Sequence, residues 1–251
     1  MNELIKLLDI FSDYSFLESE HVYFYKGNRV KKSVTQLVSY YHKKFDREYW
    51  SEYKAKKEGV SKEVILEDWN RKSELSTTTG TQFHSYMEHS LAGKIFDPKI
   101  LLREDINSRL SGLIPLADKF LADSKHKLIP VKSEFIVGLE DKVAGQIDQI
   151  FWNDAQQELQ IWDWKTSKSI DTENKYGDKM FHPLESFNDC SFIHYCLQVN
   201  IYKYLLENSG INVGKCYISQ FYEENDSYEI YECIDLQKEV EKILAEFNYN
   251  C

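Results

Sequence analysis

Two short runs, AGQIDQI and IWDWKTS, hold Asp148, Asp163 and Lys165 at a spacing that could bring three charged groups to one point. Each run reads as a β-strand, and the turn-length polar segment between them predicts neighbouring strands. Strand alternation puts Asp163 and Lys165 on one face of the sheet and Trp164 on the other. Two carboxylates converging in a partly buried cleft repel each other, so the arrangement is costly unless a cation lies between them. A hard divalent ion with oxygen ligands is the natural occupant. Lys165, two residues beyond Asp163, would then face the ion's water and the phosphate under attack. Asp-x-Lys alone arises by chance about once in a chain of this length, and its bland reading is a surface pair on an edge strand. The apolar LQIW run ahead of Asp163, and Asp148 one hairpin upstream, favour the cleft.

The elements that must position these residues can be followed along the chain. HVYFYKGNRV predicts a hairpin around Gly27-Asn28. Ser33 or Thr35 can cap a helix whose pattern runs through a basic segment to about residue 57. Further helices are expected over residues 62–75, from Gly80 to Leu91, and over residues 98–124. LIPVKSEFIVGL, KVAGQIDQIFW and ELQIWDWKT then predict a meander. After a long connection, residues 167–189, come a helix over 191–207, a hairpin around Asn225-Asp226 and an acidic helix over 237–247. This order predicts a mixed α/β fold with its sheet covered by helices. No repeat or linker interrupts the chain, so one compact unit is expected: residues 1–76 as an N-terminal hairpin and basic helical elaboration, residues 77–251 as the core.

With 251 residues, 42% hydrophobic and 14% aromatic, the chain can bury a large core. Its five cysteines, Cys190, Cys196, Cys216, Cys233 and Cys251, are an odd number without a C-x-x-C pair, a pattern of free thiols in a reducing compartment. With no membrane-length apolar run and no basic leader, an intracellular, cytoplasmic protein is expected, or one in a host cytoplasm if viral. The net charge of −10 argues at first against a nucleic-acid partner. Its distribution reverses that: between Lys26 and Lys57 ten basic residues face three acids, a local +7. Lys31, Lys32, Lys43, Lys44, Arg47 and Lys54 lie in this stretch, interleaved with Tyr40, Tyr41, Tyr49, Trp50 and Tyr53. It reads either as a phosphate-binding, base-stacking surface or as a solvated helix face whose aromatics serve the core. Lys168, Lys175 and Lys179 extend the pattern into the long connection.

GTQFHSYME, SEFIV, AGQID, IWDWKT and LQVNIYKYLL follow one another in the order of the motifs of a known nuclease family. Through them the chain resembles the RecB-like branch of the PD-(D/E)xK nucleases, and within it the exonucleases of mitochondrial genome maintenance and of phages. The resemblance covers residues 33–206 and implies a restriction-endonuclease-like fold, with a central mixed sheet flanked by helices. It implies that His84, Asp148 and Asp163 bind metal, helped by the backbone carbonyl of Trp164, and that Lys165 is the catalytic lysine. Glu134 matches the acid on the preceding strand. Gln198 and Tyr202, at i and i+4 on one helix face, match the pair that steadies the lysine and the DNA. His84 and Glu88 share the same spacing, whereas His126, His182 and His194 match no motif and read as structural. No cysteine precedes Cys190, so the iron–sulfur cluster of some relatives is not expected.

The implied activity is Mg²⁺- or Mn²⁺-dependent hydrolysis of DNA by one or two ions, to 5′-phosphate ends, with His84 making Mn²⁺ acceptable. An exonuclease on single-stranded ends is expected, with the basic helix and the long connection forming a cover over the site. The alternatives are a restriction-type or structure-selective endonuclease and a non-catalytic nucleic-acid-binding module on the same fold. DNA with a single-stranded or free end is the expected partner, alongside a recombination or replication protein; oligomeric state is not specified.

Overall fold

The computed structural model describes residues 2–96 and 103–249. A short helix α1 (Asn2–Leu8) and one 3₁₀ turn (Asp9–Phe11) lead into a three-stranded antiparallel sheet of β1 (Tyr14–Leu17), β2 (Val22–Tyr25) and β3 (Asn28–Arg29). β1 adds a strand to the expected hairpin. The β2–β3 turn is Lys26-Gly27, one residue earlier than Gly27-Asn28, and both turn residues have positive φ, 49° and 79°. A two-residue hairpin loop whose twist matches its strands requires that.

β4 (Lys32–Ser33) ends where α2 (Val34–Val38) begins. Ser33 Oγ accepts a bond from the Gln36 amide at 3.1 Å while the Ser33 amide donates to Gln36 Oε1 at 3.0 Å, a reciprocal cap. The helix expected to continue to residue 57 stops there. In residues 39–46 the backbone turns to the long connection instead: the Phe181 amide donates to the Tyr41 carbonyl at 2.7 Å, and the Lys43 amide to Asp189 Oδ2 at 3.0 Å. α3 (Arg47–Glu58) starts afresh, capped by Asp46.

α4 (Lys62–Leu91) is one helix of 30 residues, about 45 Å long, where two were expected. Thr77, Thr78, Thr79 and Gly80 are weak helix formers, but propensity costs only tenths to about 1 kcal/mol per residue. Burial of Thr79, Phe83 and Met87 along one side outweighs it. α5 (Glu104–Ser124) follows, and the expected start of its helix, residues 98–102, lies outside the described residues.

β5 (Leu128–Leu139), β6 (Val143–Asn153) and β7 (Glu158–Lys165) form the expected meander. After the connection come α6 (Ser191–Glu207), β8 (Cys216–Gln220), β9 (Glu229–Glu232) and α7 (Gln237–Tyr249). The main sheet runs β4-β6-β7-β8-β9, with β5 also paired to β6. β4–β6 and β7–β8 are parallel and the other pairs antiparallel, a mixed sheet as expected. One face packs Ile150, Ile161 and Ile218 against Leu197, Ile201 and Leu205 of α6, with α7 behind. The other packs Phe151, Trp162 and Trp164 against Phe83 and Met87 of α4 and Phe120 of α5. The fold is mixed α/β, with its sheet between helices. No helix among the described residues is long and apolar enough to cross a membrane.

Candidate active site

The site lies where two neighbouring strands part. β6 and β7 are paired from Asn153↔Glu158 to Gln149↔Trp162, and the pairing stops there. Beyond that point β7 continues against β8 through Lys165↔Gln220, whereas the start of β6 pairs with β4 at Val143 and Ala144. Asp148 and Asp163 are the first residues past the last rung. A divergence of this kind frees backbone groups that must find other partners. The Trp164 amide finds one in Asp148, donating to its Oδ2 at 2.7 Å.

α4 and α6 close the split from either side. His84 of α4 sets Nδ1 3.5 Å from Asp148 Oδ1 and 3.7 Å from Glu134 Oε1, and its Nε2 donates to the Trp164 carbonyl at 3.1 Å. Glu134 reaches the site from β5 with φ of 47°, a left-handed backbone that a side chain of its size rarely adopts. Pairing on both sides, Ser133↔Gln149 and Phe135↔Ile147, holds that conformation in place. Lys165 Nζ lies 2.6 Å from Asp163 Oδ2, an ion pair that is the close partner of that buried oxygen. From α6, Gln198 Nε2 donates to Asp163 Oδ1 at 3.3 Å and to the Tyr202 hydroxyl at 3.2 Å. Gln198 thus steadies the aspartate rather than the lysine.

Burial shapes the electrostatics. It raises Asp163 to about 6, against the attraction of Lys165 and with the help of Asp148's charge. Asp148 is likewise raised by burial, opposed by His84 and Lys165. Burial alone would lower His84, but Asp148 and Glu134 outweigh it and lift the imidazole to about 9. Lys165 is raised too, because Asp163 and Asp148 overcome its desolvation. Acid groups made reluctant to ionise, beside cations held in their charged form, mark a cluster short of positive charge. His84, Glu134 and Asp148 each offer a ligand atom, all within 4.8 Å of one another, whereas Asp163 lies outside that group and sets its Oδ2 against Lys165. The donor set fits a divalent ion.

These groups sit in a cleft of about 870 Å³. Its walls come from the N-terminal sheet, through Phe16, His21 and Tyr23, and from the middle of α4, through Thr77, Thr81 and Glu88. Of the segment from Lys26 to Lys57 only Ser33, Val34 and Thr35 line it, none of them basic, and the connection after β7 contributes no lining residue, so most of the wall comes from elements other than the expected cover.

Residues 33–248 match the model of the PD-(D/E)XK nuclease superfamily. The chain belongs to that superfamily. Nucleases of this superfamily use divalent metal ions, and the group of His84, Glu134 and Asp148 could hold one. Among solved structures it is similar to a protein named "Putative exonuclease" from Eubacterium rectale, at 15% identity and TM-score 0.40 over 70% of this chain. That match spans 64% of the other protein's length. It is also similar to the protein SSO0001, at 16% identity and TM-score 0.32 over 99% of this chain and 85% of the other. No curated protein sequence matches.

In this nuclease the basic residues are scattered and partly engaged. Lys31, Lys44 and Lys168 are exposed, with the Lys168 ammonium 5.9 Å from the Tyr222 ring. Lys32 stands 5.4 Å over Tyr40, Lys43 pairs with Asp178 at 3.5 Å, and Lys54 pairs with Glu58 at 3.7 Å. Arg47 bonds to Asn70 and to the Leu66 carbonyl. The aromatics divide: Tyr40, Tyr49 and Tyr53 are exposed, while Tyr41 packs on the core. Two neighbours of the centre were not anticipated. Tyr195 places its ring 4.6 Å from Lys165 Nζ, and its position three residues before Gln198, on the same helix face, is the signal that could have found it. Gly145, the glycine of AGQID, lets α6 approach β6: a methyl there would come within 2.6 Å of the Tyr202 ring.

Proposed function

We propose that this nuclease is a metal-dependent DNA exonuclease of the RecB-like branch, working from single-stranded ends and leaving 5′-phosphate and 3′-hydroxyl products. The observation that carries the reading is the meeting of His84, Asp148, Asp163 and Lys165 in the split between β6 and β7. His84, Asp148 and Asp163 would hold Mg²⁺ or Mn²⁺, with Glu134 and the Trp164 carbonyl as further oxygen donors. Such an ion supplies Lewis acidity, which lowers the pKa of water and offsets charge on the leaving oxygen.

The protein's own groups do the rest. Lys165, kept protonated by its aspartates, donates hydrogen bonds to the phosphate and orients the attacking water for in-line displacement. Tyr195 limits the freedom of its ammonium through the ring face. Gln198 and Tyr202 hold Asp163 against rotation. Glu134 orients a water or a second ion from the opposite strand.

The preference for single strands rests on depth. Asp163 is 2% exposed and the side chain of Lys165 19%, so the reacting phosphate must descend to a recessed floor. A flexible single strand can bend into such a cleft, whereas a duplex phosphate arrives with both strands. Linear single-stranded DNA and a covalently closed circle of the same sequence, each tested in Mg²⁺ and in Mn²⁺, decide the matter. Cleavage of the linear strand alone is expected. Equal cutting of the circle replaces the exonuclease with an endonuclease using the same centre.

A further inference from the structure

A second group of metal-ligating side chains lies outside the cleft, where three segments separated in sequence meet. His42 lies between α2 and α3, Asp189 ends the connection after β7, and His194 is in the first turn of α6. Each offers a ligand atom, and the three atoms lie within 4.8 Å of one another. The two imidazole rings stack with centroids 4.1 Å apart at 24°, and His194 Nε2 lies 2.7 Å from Asp189 Oδ1.

The surroundings prepare these groups for a cation. His42 Nδ1 lies 3.2 Å from the Lys43 carbonyl, and in the tautomer that donates there Nε2 is the nitrogen open to a cation. Asp189 is fixed at both ends: its Oδ2 accepts from the Lys43 amide at 3.0 Å, and its carbonyl accepts from Asn174 Nδ2 at 2.6 Å. The Lys43 ammonium is turned to Asp178 at 3.5 Å.

We propose that His42, Asp189 and His194 form a binding site for a borderline divalent cation of the zinc type, separate from the catalytic centre. Two nitrogens and one oxygen, with water in the fourth position, are a ligand set suited to tetrahedral zinc. Bonds of about 2.0–2.1 Å place tetrahedral ligands roughly 3.4 Å apart, so His194 Nε2 and Asp189 Oδ1, now 2.7 Å apart, open by under an ångström, and one imidazole turns out of the stack to aim its lone pair at the ion. Half-exposed His42 and His194 have the freedom to do that. The bound ion ties residues 39–46 and the end of the connection to the helix turn that carries Tyr195, the neighbour of Lys165. The site does not depend on the nuclease reading.

Zinc binding is measured on the full chain carrying Asp148→Ala, which disables the catalytic cluster, by calorimetry and by metal content after gel filtration. One equivalent of Zn²⁺ is expected, with affinity at least tenfold weaker when His42→Ala or His194→Gln is added. Circular dichroism checks that each variant is folded; His42→Ala removes only a ring at the surface and serves if His194→Gln disturbs α6. The proposal is overturned if the Asp148→Ala protein takes up no zinc, or if its zinc is held equally well without His42.

Discussion

The floor of the cleft and the segment from Lys26 to Lys57 both concentrate charge, but only the floor buries it. In the floor, three carboxylates and two cations share a site in which Asp163 is 2% exposed, and His84, Asp148, Asp163 and Lys165 are all displaced from their ordinary ranges. In the segment, Phe45 is 65% exposed and Tyr49 58%, and Lys43, Lys54 and Arg47 of its ten basic residues are engaged by Asp178, Glu58 and Asn70. Burying charge costs folding free energy, and charged groups displaced from their ordinary ranges in a cleft are the pattern of a reactive site. Exposed lysines cost almost nothing and by themselves indicate no partner.

The largest expected effect follows from breaking the floor. Asp163→Asn and Lys165→Ala should each lower kcat by on the order of 10³-fold, as removing a group that stabilises the transition state does. Circular dichroism should show both variants folded, with Lys165→Ala lowering the melting temperature because it leaves the buried Asp163 charge without its partner. A variant that loses activity only by unfolding would move the importance of these residues from chemistry to packing.

Glu134 sharpens the comparison further. Glu134→Gly removes a carboxylate from the site but also releases a left-handed backbone, a strain of about 1–3 kcal/mol, against the about 0.5–1 kcal/mol that glycine costs in a strand. Cleavage should fall while stability in urea holds or rises. A clear loss of stability would mean that the φ of 47° is not strained. Gly145→Ala tests the approach of α6 from the other side. Its methyl would meet Tyr202 and Val34 at 2.6 and 2.9 Å, a cost of about 1–3 kcal/mol. By displacing the Gln198–Tyr202 pair it should also slow cleavage about tenfold. Normal kinetics in that variant would show that Tyr202 is not needed where it stands.

The pH dependence of stability in chelator has a definite sign. Asp163 is raised to about 6 in the fold, so the folded protein binds the extra proton between pH 4 and 6 and loses stability as pH rises through that window. His84, raised to about 9, contributes stability that is full below about pH 6.5 and lost as pH approaches 9. Melting temperatures measured from pH 4 to 9 should decline, and Asp163→Asn should flatten the acid part of the decline. A curve unchanged by that substitution would contradict the burial of its charge.

The smallest effect belongs to the exposed segment. Reversing Lys43, Lys44 and Arg47 to Glu should weaken DNA binding across sequences and reduce the slope of log K against log salt, by about 0.7 for each phosphate of a single strand that is no longer neutralised. With Lys43 and Arg47 already engaged, a change equivalent to about one phosphate is expected, and an unaltered slope would leave the segment a solvated face.

Much of the floor was legible because its signals are local. β-Alternation in IWDWKT sends Asp163 and Lys165 to one face, and i, i+4 spacing joins Gln198 to Tyr202. Ser33 capped its helix as the sequence suggested. What escaped depends on distant partners. The break at residues 39–46 is made by bonds to Phe181 and Asp189, the continuity of α4 by its packing on the sheet, and the split of β6 from β7 by competition from β4 and β8. His42 and His194 lie far apart in sequence and share no spacing, so only the fold brings them together.

Cleavage of labelled single-stranded DNA by dialysed protein, with and without added Mn²⁺ and with Asp163→Asn and His84→Ala alongside, tests the central claim most directly. Turnover that requires the metal and disappears in both variants, with their folds intact, is the predicted result. Undiminished turnover in chelator, or in either variant, would contradict the assignment of the β6–β7 split as the catalytic centre.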